Sequence, residues 1–172
     1  DMTYIPTWAG FVYLAVVLDV YSRKVVGWAF GQQQTADLVI QALNMALITR
    51  KPQDVIHHSD QGSQYTSEHF QELLKEQGIT CSMSRAGEVW DNSAMESFFS
   101  LLQKNVLDRQ AWATRDELRI AIVTWIERTY HRRRRQAALG RLTPIEYESI
   151  MTPQATQAAK PNLSPDSAAV PP

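Results

Sequence analysis

The sequence predicts an α/β fold: a five-stranded mixed sheet, three antiparallel strands then two parallel ones, flanked by helices. Two observations carry this. Three strand-sized apolar segments near the start are joined by short links, as in an antiparallel meander. Two further short apolar segments then alternate with helix-length ones, and that order implies parallel strands with right-handed crossovers.

Met2 to Ile5 reads as the first strand, with a turn at Pro6 to Gly10. Phe11 to Leu18 is continuously apolar, as a strand buried on both faces would be. Tyr21-Ser22-Arg23 connects it to the strand Lys24 to Phe30. A helix follows from Thr35 to about Arg50, with Leu38, Ala42, Met45 and Ala46 at helical spacing. Val55 to His57 is a short strand ending in His58-Ser59-Asp60. Ser67 to Gln77 reads as a helix capped by Ser67 and stopped by Gly78, and Ile79 to Met83 as the fifth strand. After the loop Arg85 to Asp91 the chain turns helical. Three capping boxes mark the starts: Ser93 with Glu96, Thr114 with Glu117, and Thr143 with Glu146. Pro144 takes the favoured first helical position. From Thr152 to Pro172 the chain holds five of its eight prolines, among Ala, Gln, Ser and Thr. Such a segment buries too little apolar surface to offset its ordering entropy. The expected organisation is therefore a core over residues 1–150 and a disordered Pro/Ala-rich tail over 151–172. Because the chain opens at Asp1, the core is expected to be truncated at its N-terminus.

Composition narrows the function classes. Seventeen basic and eighteen acidic residues give a net charge of −1, against binding nucleic acid by bulk positive charge. No apolar run approaches membrane-spanning length, so no membrane partner is expected. The single cysteine, Cys81, excludes an internal disulfide framework and a Cys-rich zinc site.

Acidic residues at strand ends are the candidate chemistry, because open α/β sheets react at their edges. Asp60 follows a buried strand, Asp1 precedes one, and Glu96 lies in the first turn of a helix. Separated carboxylates can converge on hard divalent cations such as Mg²⁺ or Mn²⁺. Taken singly, each has a plainer reading: Glu96 as the reciprocal cap of Ser93, Asp60 as a turn residue before Gly62, Asp1 as uninformative. Asp19 is a rival for the first carboxylate. His57 and His58 are adjacent on a strand and point to opposite faces, so they do not share an ion; a structural or supporting role is expected.

Four strings together carry a resemblance. They are Asp1-Met2-Thr3-Tyr4-Ile5, Tyr13 through Trp28, His58-Ser59-Asp60-Gln61-Gly62-Ser63-Gln64-Tyr65, and Trp90 through Phe99. A later match runs from Tyr130 through Arg134 and Leu139-Gly140 to Thr143-Pro144. The chain resembles, over about residues 1–150, the catalytic core of integrase-type DDE transposases, the OrfB-type insertion-sequence proteins related to retroviral integrases. That pattern puts 35 residues between its second Asp and its Glu, and residues 61 to 95 number 35 here. The resemblance implies an RNase H-like fold and assigns catalysis and metal binding to Asp1, Asp60 and Glu96. Asp19 then becomes structural, and Glu96 is expected to face Asp60 rather than the Ser93 amide. The implied activity is DNA transposition or integration by metal-dependent cleavage and strand transfer with two Mg²⁺ or Mn²⁺ ions. The alternatives are an RNase H-like nuclease that does not join strands and a non-catalytic DNA-binding assembly module.

DNA contacts are expected from Asn92, Gln103 and Lys104 on the helix carrying Glu96, and from Arg132, Arg133, Arg134 and Arg135. Family members commonly carry a basic residue at the Gln103 position; here the base is displaced to Lys104, about 100° further round. Arg128 to Arg141 contains six arginines and no acid, and guanidinium forks match phosphate oxygens. The implied partners are transposon ends and target DNA, further copies of the chain, and an upstream DNA-binding domain or second reading-frame product. The implied setting is the bacterial cytoplasm, on the nucleoid when acting. Ser84 to Asp91 is expected to act as a flap, with Trp90 packing on the sheet or stacking on a base.

Overall fold

The computed structural model describes residues 1–84 and 92–158, with side chains described through Met151. The expected flap beyond Ser84, Trp90 within it, and positions 159–172 of the expected tail lie outside the described residues.

β1 (Met2–Thr7), β2 (Gly10–Leu18) and β3 (Val25–Gly31) form an antiparallel meander. The expected turn at Pro6 shortens to Trp8-Ala9, because Pro6 and Thr7 stay in the ladder opposite Phe11 and Gly10. Thr7 closes the turn: its hydroxyl donates to the Gly10 carbonyl and accepts from the Ala9 N–H. Gly10 has φ of 103°, a backbone state that side chains disfavour. Asp1 and Val16 exchange both main-chain hydrogen bonds, at 2.9 and 2.8 Å. Antiparallel pairing alternates from there, so the Pro6 nitrogen, which has no hydrogen to donate, falls on the outer edge.

α1 (Ala36–Arg50) covers one face of the meander; Thr35 caps it, accepting from the Leu38 N–H at 3.3 Å. Its approach is close: a Cβ at Gly27 would lie 2.1 Å from the Ala42 carbonyl oxygen. β4 (Ile56–Ser59), α2 (Glu68–Glu76) and β5 (Thr80–Met83) follow, and β4 pairs with β5 in parallel. Strand order and directions agree with expectation, but hydrogen bonding divides the five strands into a three-stranded and a two-stranded sheet. The β1 edge at Asp1 has little left to offer β4. Asp1 spends both main-chain groups on Val16, and the Met2 N–H goes to Asp1's own carboxylate at 2.6 Å.

The other face carries Ile5, Val12, Leu14 and Val16, and α3 (Ser93–Asn105) and α4 (Arg115–Thr124) cover it. The stripe of Met95, Phe98, Leu102 and Val106 is buried there. Phe98 packs edge-on to Tyr130, with ring centroids 5.1 Å apart, and lies 5.9 Å from Trp125. α4 widens into a π-helical turn, Trp125–Tyr130, which delivers His131 to β3. α5 (Pro144–Ala158) begins with a complete capping box: the Glu146 N–H donates to the Thr143 hydroxyl, and the Thr143 N–H to the Glu146 carboxylate. Glu148 of α5 pairs with Lys24 at 3.0 Å and with Arg50, tying this helix to the meander. α5 continues to Ala158, so the helix passes the expected boundary at Thr152. Helix growth adds one hydrogen bond per residue fixed, and Ala and Gln are good helix formers.

His131 is 1% exposed; its Nε2 accepts from the Val25 N–H at 3.1 Å and its Nδ1 faces Glu127. Burial lowers its pKa, with Lys24 acting in the same direction and Glu127 and Glu148 opposing. The unfolded chain therefore takes up the proton first, and stability falls as pH drops below the ordinary histidine range of about 6.5. His57, pushed down to about 4 by burial, adds to the same trend. Urea unfolding between pH 7.5 and 5 checks this. A His131→Leu variant is expected to be about 1–3 kcal/mol less stable at pH 7.5, because the Val25 N–H loses its acceptor, and to show a shallower pH slope. An unchanged slope would remove His131 from the account.

Candidate active site

Asp1, Asp60 and the start of α3 meet at one end of β1. Asp60 leaves β4 in a tight turn, accepting from the Gly62 N–H at 2.9 Å. Its charge acts on the main-chain nitrogen of Asp1. Burial, and to a lesser degree the same charge, raise the pKa of Tyr65, which is packed against Phe70 at 5.4 Å. Asp1 and Asp60 therefore share one electrostatic neighbourhood.

Asp1 shares its sheet face with Ile5, because strand side chains alternate, and that face is the one α3 covers. One Asp1 carboxylate oxygen accepts from the Asn92 side-chain amide at 2.8 Å. Asn92 is the N-cap of α3 and makes no capping hydrogen bond of its own. The expected Ser93–Glu96 capping box is therefore absent: the helix starts one residue earlier than that motif requires, and the Asn92 side chain reaches Asp1 instead. Glu96 lies one turn beyond Asn92 on the same flank, exposed, and without a hydrogen-bond partner among the described residues. Among the described residues no three His, Cys, Asp or Glu side chains are already spaced to enclose a metal ion. Asp19, the rival carboxylate, is occupied: it accepts from the Tyr21 N–H and the Ser22 hydroxyl and pairs with Arg50.

β1 and α3 run in the same direction. Asn92 meets Asp1, and eleven residues on, about 16 Å of helix, Gln103 meets the segment Tyr4 to Trp8 across an open cleft of about 510 Å³. Gln103 donates to Asp108 at 2.6 Å. Lys104 is exposed. Arg132, Arg133 and Arg134 are exposed in the turn after the π-helical segment and have no acidic partner among the described residues. Arg135 differs: it pairs with Glu146 at 3.1 Å and donates to the Arg141 carbonyl. Sequence reasoning did not find the hydrogen bonds joining His58 and Gln61 to β5; they depend on a parallel register that no spacing reveals.

An integrase core domain model matches residues 1–88, and a second integrase core domain model matches 77–144. The chain belongs to the integrase core domain family. It is 39% identical over 148 residues to the transposase for insertion sequence element IS629 of Shigella sonnei, covering 86% of this chain and 50% of that protein. It is 41% identical over 150 residues to the transposase InsF for insertion sequence IS3A of Escherichia coli K12, covering 87% and 52%. The chain thus spans about half the length of these curated relatives. Among solved structures, the HTLV-2 integrase catalytic core domain in complex with magnesium aligns with a TM-score of 0.61 at 19% identity, over 86% of this chain and 91% of that one. The BIV integrase catalytic core domain gives 0.60 at 21% identity, over 91% and 95%. The fold is that of retroviral integrase cores, RNase H-like.

Gln103 supplies a direct test of orientation. A lysine placed there would pair with Asp108, so Gln103→Lys alone is expected to change duplex DNA affinity by less than about twofold, as weak exposed ion pairs do. Combined with Asp108→Asn it should strengthen binding and steepen the salt dependence. Fluorescence anisotropy across a salt series reads both; identical behaviour of the two variants would count against the Asp108 pairing.

Proposed function

We propose that this chain is the catalytic core of a DNA transposase that cleaves DNA strands and joins them to a target, with Asp1, Asp60 and Glu96 as its reacting carboxylates. The observation that carries the reading is the Asn92–Asp1 hydrogen bond, which holds the start of α3 at the carboxylate that shares its surroundings with Asp60. Glu96 then stands one helical turn along α3 from Asn92, the residue that contacts Asp1. The 39–41% identity to insertion-sequence transposases supports the same reading.

The donor set fits a hard divalent cation, since all three groups offer carboxylate oxygen and none offers sulfur or nitrogen. Asp1, Asp60 and Glu96 would hold Mg²⁺ or Mn²⁺, two ions in the active complex. When bound, such ions polarise phosphoryl oxygens and stabilise the entering and leaving oxygens. The protein's own part is positional. The Asp60 turn fixes one carboxylate, Asn92 orients the second, and α3 carries the third on an exposed flank.

Arg132, Arg133 and Arg134 are assigned to DNA phosphates, with Asn92, Gln103 and Lys104 along the α3 flank, and Arg135 chiefly to holding α5. Further partners in the proposal are transposon ends and target DNA, additional copies of the chain, and an upstream DNA-binding domain or second reading-frame product. The HTLV-2 integrase core has been solved in trimeric and dimeric forms. No described helix is long and apolar enough to cross a membrane. The proposed setting is the bacterial cytoplasm, at the nucleoid.

Two measurements test the reading. Asp60→Asn is expected to lower metal-dependent cleavage and joining by about a thousandfold or more while leaving the fold intact; full activity would refute the assignment. Replacing Arg132, Arg133 or Arg134 with Ala should each flatten the log affinity–log salt slope for duplex DNA by about 0.9. Arg135→Ala should change that slope less and lower thermal stability instead. A slope unaffected by all four would remove this segment from the DNA interface.

A further inference from the structure

The residues on either side of Asp60 are tied to β5 more heavily than strand pairing requires. Parallel pairing sets His58 opposite Ser82, and Ser84, two residues on, presents its side chain to the same face. The His58 ring lies between the two: Nδ1 is 3.0 Å from the Ser82 hydroxyl and Nε2 is 3.0 Å from the Ser84 hydroxyl. Both ring nitrogens are thus engaged, although the side chain is exposed. A neutral imidazole supplies one donor and one acceptor, and serine hydroxyls complement either tautomer. On the far side of Asp60, the Gln61 amide donates to the Ser84 carbonyl at 3.0 Å. Between them the Ser84 N–H donates to the Ser59 carbonyl at 2.8 Å. Residues 58, 59 and 61 are therefore each pinned to the end of β5, and Asp60 is the one residue of this run left to point elsewhere.

Fold stability alone does not account for this arrangement. Exposed side-chain hydrogen bonds contribute little to folding, and neither His58 nor Gln61 covers apolar core. What they fix is the direction in which Asp60 leaves the sheet. We propose that His58 and Gln61 are positioning residues: they clamp the Asp60 turn onto Ser82 and Ser84, so that the Asp60 carboxylate is held toward Asp1 before any cation or DNA arrives. This rests on the assignment of Asp60 as a reacting carboxylate. Neither residue touches the reacting groups in this account; both act through the orientation of Asp60. Misplacement of a reacting group by about 1 Å can cost about a hundredfold in rate, which is ample sensitivity for such a clamp.

The test uses His58→Ala, His58→Gln, Gln61→Ala and Ser82→Ala in the full chain, with Asp60→Asn as reference. Three quantities are read: the midpoint of thermal unfolding, Mn²⁺ binding by calorimetry, and the rate of supercoiled plasmid nicking at saturating DNA. His58→Ala and Gln61→Ala are expected to weaken Mn²⁺ binding by about three- to tenfold and to slow nicking by about tenfold, with the unfolding midpoint and DNA affinity unchanged. His58→Gln, which keeps a donor and an acceptor at the same reach, should restore most of the loss. In a double-mutant cycle, Ser82→Ala should have little further effect once His58 is Ala. The proposal is overturned if His58→Ala and Gln61→Ala bind Mn²⁺ and nick DNA as the unmodified chain does. It is equally overturned if their losses merely track a lowered unfolding midpoint. Full nicking by Asp60→Asn would instead overturn the carboxylate assignment beneath it.

Discussion

Burial of the sheet face that carries Ile5, Val12, Leu14 and Val16 governs the arrangement of everything else. Those four side chains are apolar, and leaving them wet would cost tens of calories per mole for each square ångström. α3 covers it with Met95, Phe98 and Leu102, and the aromatic contacts of Phe98 with Tyr130 and Trp125 fix the helix against α4 and the π-helical turn. Because the buried stripe occupies one side of α3, the neighbouring flank must fall alongside β1. Asn92, Glu96 and Gln103 lie on that flank. Core packing therefore decides which polar residues line the edge where Asp1 and Asp60 meet.

The same division of labour runs through the charges. Asp19, Lys24, Arg50 and Glu148 are spent on one another, joining the turn after β2, the end of α1 and α5. Arg135 and Glu146 do likewise. Among the described residues, carboxylates gather at one end of β1, and three consecutive arginines stand exposed beyond the π-helical turn. A net charge of −1 over 17 basic and 18 acidic residues thus conceals local groupings of one sign. Viewed this way, the balanced composition is no argument against a polyanionic partner.

Much of this was legible in the sequence because it is local. Apolar runs joined by short links predicted the meander; Thr35, Ser67, Thr114 and Thr143 predicted helix starts, and each caps its helix. The failures are equally specific. The Ser93–Glu96 motif has the form of a capping box, yet Asn92 is drawn to Asp1, 91 positions away, and no local pattern encodes that competition. Pro6 read as a turn residue, but on an outer edge its missing donor is harmless. His131 stands beside a run of arginines, and its role as acceptor for the Val25 N–H depends on a π-helical turn and a contact spanning 106 residues. The tethers of His58 and Gln61 required the β4–β5 register. Short-range signals specify elements well, whereas side chains whose partners lie far along the chain are fixed only once the core has packed.

Pro6 also bears on how copies of this protein meet. An unpaired strand edge is a template for zipper-like growth, in which any copy can add to any other through main-chain bonds that ignore side-chain identity. On the outer edge of β1, Pro6 donates nothing and the Met2 N–H is already taken by Asp1. Only the Tyr4 amide is left on that edge of the strand to offer a donor. Recruitment of a second copy through this edge would gain too few bonds to propagate. At this edge, association is left to side-chain recognition, so stoichiometry and orientation there become properties that sequence can select.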